Sequence, residues 1–305
     1  MQTTNNILLI RPANFGFNEE TRASNVFQKD VGGDAELIRK TAVHEFDAAI
    51  ATLKSHGINA AVIDDTPLPA KTDALFPNNW VSFHADGTVI LYPMLSANRR
   101  NERRIDIVET LREKFEINKV IDLSHFESEE KFLEGTGSIV FDHVNKIAYA
   151  ALSPRTHEDV LQHLCELLDY QSVKFRSHDV NGVEIYHTNV MMCVGERFVV
   201  VCLDSITETS ELQLVTDKLY STGHTIIDIT FEQMNAFAGN MLEVKSTGGD
   251  SLLIMSQTAH DSLTTTQRNT LESHCTPVPL SIPTIENIGG GSARCMIAEI
   301  FLPPT

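Results

Sequence analysis

Apolar strands, each entered through a turn residue, recur along this chain at near-equal intervals, and a fifth follows a triple glycine. The markers are Asn79 in LFPNNWVSF, Gly137 in LEGTGSIVF, Asn189 in YHTNVMMCV, Asn240 in FAGNMLEV and Arg294 in GGGSARCMIAEI, separated by 58, 52, 51 and 54 residues. A second apolar strand follows each of the first four markers and ends on Ser96, Ser153, Ser205 and Ser256, at offsets of 17, 16, 16 and 16. A period of this length signals one supersecondary unit used repeatedly in a stacked or closed assembly. Corresponding turns should then meet at one place, and these turns hold Glu134, His187 and Cys295.

Each unit reads as two strands, a helix and a third short strand. After Asn79 come WVSF and VILYPM, a helix from about Asn98 to Phe115, and KVIDL. After Gly137 come SIVF and IAYAAL, then a helix opening at Thr156, whose spacing to Asp159 is that of a capping box, then SVKF. Further helices are expected from Ser210 to Gly223 and from Thr264 to His274. The last unit takes its first strand, CMIAEIFL, from the C-terminus. The N-terminus supplies ILLI, a helix from Glu36 to His56 and INAAVID. Closure of this kind removes exposed sheet edges. The expected fold is therefore α/β: a five-bladed α-β propeller of five ββαβ units with pseudo-fivefold symmetry, closed by both termini. Residues 1–305 form one domain in this reading. The polar stretch from Ala13 to Asp34 is the longest without periodicity, and loops of that length often act as lids.

The net charge of −17 disfavours nucleic acid and anionic membranes as partners and is compatible with a cationic or zwitterionic small substrate. Five cysteines, an odd number with no CxxC pair and no Cys/His ligand spacing, argue for a reducing, cytoplasmic setting and against a disulfide scaffold. No metal site is suggested. The start, MQTTNNILLIRP, does not read as a signal peptide, and no apolar run approaches membrane-spanning length.

A thiolate can attack a carbon centre, a nearby imidazole can relay its proton, and a carboxylate can orient a planar nitrogen group. Taken alone, a cysteine is more often packing and a strand-end histidine more often structural. Their equivalent places in the repeat make Cys295, His187 and Glu134 candidates for chemistry. Cys165, Cys193, Cys202 and Cys275 read as core residues. GGGSAR lacks the GK[ST] ending of a phosphate loop.

These segments resemble the guanidino-group-modifying enzymes: arginine deiminases, dimethylarginine hydrolases and amidinotransferases, which share the pentein fold. LEGTGS is similar to the family's LEGGD, YHTN to its HLD, and GGGSARCM to its GGG-x-x-CM ending; the resemblance covers essentially the whole chain. It implies Glu134 as catalytic carboxylate, His187 as general acid/base and Cys295 as nucleophile, with no cofactor. It also implies Arg99 and Arg155 as holders of a substrate carboxylate. Two departures stand out: Asn79 and Asn189 occupy places where deiminases carry aspartates that clamp a cationic guanidinium. Asparagine is neutral and offers both donors and an acceptor, which suits a ureido head. The pattern resembles the citrulline-utilisation hydrolases. It implies an amino-acid substrate, citrulline first, converted to ornithine, ammonia and carbon dioxide through a covalent thiol adduct. Arginine deiminase, dimethylarginine-type hydrolase, amidinotransferase and a pentein-fold ribosome-binding factor are the alternatives, and a homo-oligomer stays open.

Overall fold

The computed structural model describes residues 1–22 and 24–305. Five three-stranded sheets carry the fold, and all five share one pattern. In each, the middle strand pairs antiparallel with a first strand and parallel with a third. The first sheet joins Val81–Phe83, Thr88–Leu91 and Lys119–Asp122. The second joins Val140–Asp142, Ile147–Ala151 and Gln171–Phe175. The third joins Met192–Val194, Phe198–Val201 and Thr225–Asp228, and the fourth Leu242–Lys245, Ser251–Ser256 and Thr276–Leu280. The fifth uses both chain ends: Asn6–Arg11 runs antiparallel to the short strand Ala298–Glu299 and parallel to Asn59–Asp64. The expected unit of two strands, helix and strand is thus present five times.

The middle strands are buried on both faces, which is why they read as unbroken apolar runs. Phe198, Val199, Val200 and Val201 are each 0% exposed, as are Ala148, Tyr149, Ala150 and Ala151. Helices cover their outer faces. Ala35–Ser55 packs Phe46, Ala49 and Leu53 toward the fifth sheet, and Glu158–Leu168 packs Val160, Leu161 and Leu164 toward the second. Among the described residues no helix is long and apolar enough to cross a membrane.

Two local expectations are corrected. The helix that opens near residue 156 is Glu158–Leu168, and its N-cap is His157, whose side chain accepts from Asp159 N–H; Thr156 is not the cap. The stretch from Asn98 to Phe115 is not one helix. A 3-10 turn, Asn98–Glu102, is separated from the helix Ile105–Leu111 by Arg103 and Arg104, both non-helical, the second of them extended. Tertiary partners outweigh helix propensity there: Arg103 binds Glu127 and the Tyr92 carbonyl, and Arg104 reaches the Asp64 carbonyl.

Candidate active site

The marker turns are short helical turns that deliver side chains just before each first strand. Pro77–Asn79 precedes Val81–Phe83, Gly135–Ser138 precedes Val140–Asp142, and Thr188–Met191 precedes Met192–Val194. In the fifth unit a π-helical turn, Ile285–Gly289, leads into Gly290 at φ +64° and on to Cys295. Such turns are frequent at functional sites. At Gly137 a Cβ would lie 2.5 Å from Asn79 Nδ2 and 2.7 Å from His187 Nδ1, so only glycine lets these three turns approach so closely.

Glu134 is completely buried, and both of its oxygens are taken by protein groups. Oε1 accepts from the Leu95 N–H at 3.0 Å. Oε2 lies 2.9 Å from His187 Nε2 and accepts from Arg155 Nη1 at 3.3 Å. Burial by itself would raise this carboxyl; Arg155, the His187 bond and Arg99 outweigh it and hold it well below the usual carboxylate range. His187 is governed the other way. Burial pushes it down to about 4 against the pull of Glu134, so at neutral pH the ring is uncharged. With Nε2 fixed on Glu134, Nδ1 lies against Gly137.

His187 and Cys295 line one cavity with Asp73, Asn79, Arg99, Arg155 and Tyr186. Its volume is about 20 Å³, room for roughly one water molecule. Arg99 is clasped by Glu102 through two 2.9 Å bonds, and its Nη1 donates to Asn79 Oδ1 at 3.0 Å. Because a guanidinium only donates, the Asn79 amide is oriented, and Nδ2 is left buried with no partner among the described residues. Asp73 Oδ2 accepts from Asn18 at 2.7 Å, whereas Oδ1 is likewise unpartnered. Burial raises the Asp73 carboxyl more than Arg99 and Asn18 lower it. Arg155 Nε is a third buried group without a partner.

Residues of the 13–22 and 24–34 stretches reach this cavity. Thr21 and Asn25 line it, Ser24 Oγ accepts from Arg155 Nη2 at 2.7 Å, and Glu20 Oε2 accepts from the Asn98 N–H at 2.9 Å.

The structure thus gathers Glu134, His187, Cys295, Asn79, Arg99 and Arg155 into one network and cavity. Asn189 meets the site at the sulfur: its Nδ2 lies 3.6 Å from Cys295 Sγ, and it also lines a second small cavity. Glu134 has both oxygens bonded to protein groups, whereas Asp73 keeps one carboxylate oxygen without a partner among the described residues. Asp73 carried no signal in TDALFPNN, and Asn18 none in the unpatterned segment. Asn240 was legible as a repeat marker only. The other four cysteines are buried in the core, and burial pushes their thiols up to between about 11 and 12. Among the described residues no group of three or more His, Cys, Asp or Glu is arranged to hold a metal ion.

The family model described as "N,N dimethylarginine dimethylhydrolase, eukaryotic" matches residues 11–302. The chain belongs to this family, within the guanidino-modifying pentein superfamily. No curated protein sequence matches it significantly. Solved pentein structures of low identity share its fold. The N-terminal domain of ArgZ, an arginine dihydrolase of cyanobacteria, is covered over 98% of both chains at 17% identity and TM-score 0.75, in an Asn-to-Ser variant covalently bound to a reaction intermediate. Unliganded AgrE gives TM-score 0.77 at 18% identity, and this pentein spans 39% of that longer chain. A dimethylarginine dimethylaminohydrolase adduct with S-methyl-L-thiocitrulline gives 0.67 at 14% identity, covering 97% of this chain and 99% of that one. The five repeated sheets match these mixed α/β folds.

Proposed function

We propose that this pentein is a cysteine-dependent hydrolase of a ureido amino acid, with citrulline the leading substrate and ornithine, ammonia and carbon dioxide the products. The observation that carries the reading is the Asn79 amide. Its oxygen is occupied by Arg99, so what the amide has left to offer is an N–H donor. A ureido carbonyl oxygen accepts that bond; a guanidinium has no acceptor to give it.

In this reading neutral His187 takes the Cys295 proton, and the sulfur attacks the ureido carbon. The tetrahedral oxygen develops negative charge beside Asn79 Nδ2, where a fixed donor is most effective. The carbon–nitrogen bond to ornithine breaks as His187 returns the proton to the leaving nitrogen. Water, deprotonated by His187, then cleaves the sulfur–carbon bond, and the carbamate released decomposes to ammonia and carbon dioxide. Glu134 fixes the imidazole and does not touch substrate. Asp73 Oδ1 receives the substrate ammonium, and Arg155 Nε meets its carboxylate. Arg99 acts through Asn79, whose orientation it sets. The residue 13–34 segment opens to admit substrate and closes over it. Residues 1–305 form one catalytic domain in which the five sheets ring this site and the two chain ends complete the fifth.

A guanidino substrate is the second reading, favoured by membership of the dimethylarginine dimethylhydrolase family and by the likeness to ArgZ, an arginine dihydrolase. Measuring kcat/KM for citrulline and arginine in the wild type and in Asn79→Asp separates the two. The wild type should prefer citrulline, and the variant should lose at least about tenfold on citrulline, the cost of one hydrogen bond to developing charge, while arginine gains relative to it. An unchanged ratio would remove the Asn79 argument.

A further inference from the structure

The sulfur of Cys295 faces two carboxamides from neighbouring units. Asn240 Nδ2 lies 3.3 Å from Sγ and Asn189 Nδ2 lies 3.6 Å from it. The Asn240 amide is locked in this orientation from both ends. Its oxygen accepts from the Arg294 N–H at 3.1 Å, and its NH2 also donates to the Asn189 carbonyl at 2.9 Å. The sulfur additionally lies 3.6 Å from Asn240 Oδ1, an acceptor for the S–H of the resting thiol. One amide therefore serves the sulfur in either protonation state. All three residues are buried, at 0% exposure for Asn240, 1% for Asn189 and 5% for Cys295, so no bulk water competes for these bonds. Asn189 Oδ1 has no partner among the described residues.

We propose that Asn240, assisted by Asn189, is a catalytic residue that stabilises the anionic sulfur of Cys295 through amide N–H donors. The charged and titratable groups that line the cavity together with Cys295 are His187, Tyr186, Asp73, Arg99 and Arg155. Arg294, next in sequence, spends its guanidinium on Glu299 at 2.8 Å. The inference rests on the thiol chemistry proposed above and deepens it. A cationic substrate seated on the sulfur would itself stabilise the anion, whereas a neutral ureido group brings no charge. A site for neutral substrates must supply that stabilisation from its own groups. Aspartate at 189 would oppose it by placing a second negative charge at the sulfur.

The test is alkylation of the intact protein by iodoacetamide, a neutral reagent, followed across pH by mass spectrometry of the Cys295 peptide. Cys295→Ser supplies the background from the other four thiols. Asn240→Asp should slow alkylation at pH 7 by about ten- to hundredfold, the range for losing a hydrogen bond to a charged group, and move its pH profile upward. Asn189→Asp is the second variant. Among the described residues the only hydrogen-bond contact of its side chain is with the sulfur, so no other bond is lost, and it should slow alkylation by about tenfold. Either variant, folded by circular dichroism, alkylating at the wild-type rate with an unmoved profile would overturn the proposal. No turnover is needed, so failure to hydrolyse citrulline and failure of the amide contacts are separately visible.

Discussion

Three buried polar atoms on residues that line the cavity have no partner among the described residues, and each is open to a complementary group on a ligand. Asn79 Nδ2 asks for an acceptor, Asp73 Oδ1 for a cation and Arg155 Nε for an acceptor or anion. A ureido amino acid carries all three: a carbonyl, an ammonium and a carboxylate. The assignment of Asp73 has a direct consequence. Asp73→Asn keeps the shape and the bond to Asn18 but removes the charge that would hold the ammonium. Steady-state kinetics should show KM rising by about ten- to hundredfold with kcat changed much less, because the contact is made equally in ground and transition states. A fall in kcat with KM unmoved would place Asp73 in the chemistry instead. Glu134 behaves differently at this scale. Its two oxygens are spent on Leu95, His187 and Arg155, so its influence passes through the imidazole.

Among the elements, legibility followed burial. The middle strands announced themselves because both faces are covered, and a doubly buried strand has no polar alternation to blur the period. The marker turns were legible through their spacing, although their local form, short helical turns such as Thr188–Met191, was not. Helix starts were less secure. Thr156 had the spacing of a cap, but its N–H and carbonyl are both engaged with Ser153, which leaves His157 to begin the helix. The break at Arg103 and Arg104 depends on Glu127 and Asp64, distant residues that no local window includes. The same limit hid half of the site. Asp73 and Asn18 meet only through a contact between residues 55 positions apart, and the Asn240 amide lies against a sulfur from the last unit.

Across the whole molecule, uncharged buried imidazoles tie stability to pH. His84 is 7% exposed, with Nε2 2.8 Å from Ser82 Oγ, and burial pushes it down to about 4, against the weaker opposing pull of Asp86. The unfolded chain takes up this proton below about pH 6.5 and the folded site resists until about 4, so stability falls as pH falls through that window. At pH 5 the resisted proton costs about 2 kcal/mol, a few degrees of melting temperature in a chain of this size. His84→Gln can keep a bond to Ser82 and does not titrate. The difference in melting temperature between pH 7 and pH 5 should therefore be smaller in the variant, and an equal difference would exonerate His84. The function of the molecule as a whole stands on one outcome: release of ornithine and ammonia measured in parallel from citrulline, arginine, methylated arginines and agmatine, with Cys295→Ala as control. The account predicts both products from citrulline, abolished in the control, and much slower turnover of the others. Rapid turnover of arginine with none of citrulline would contradict it.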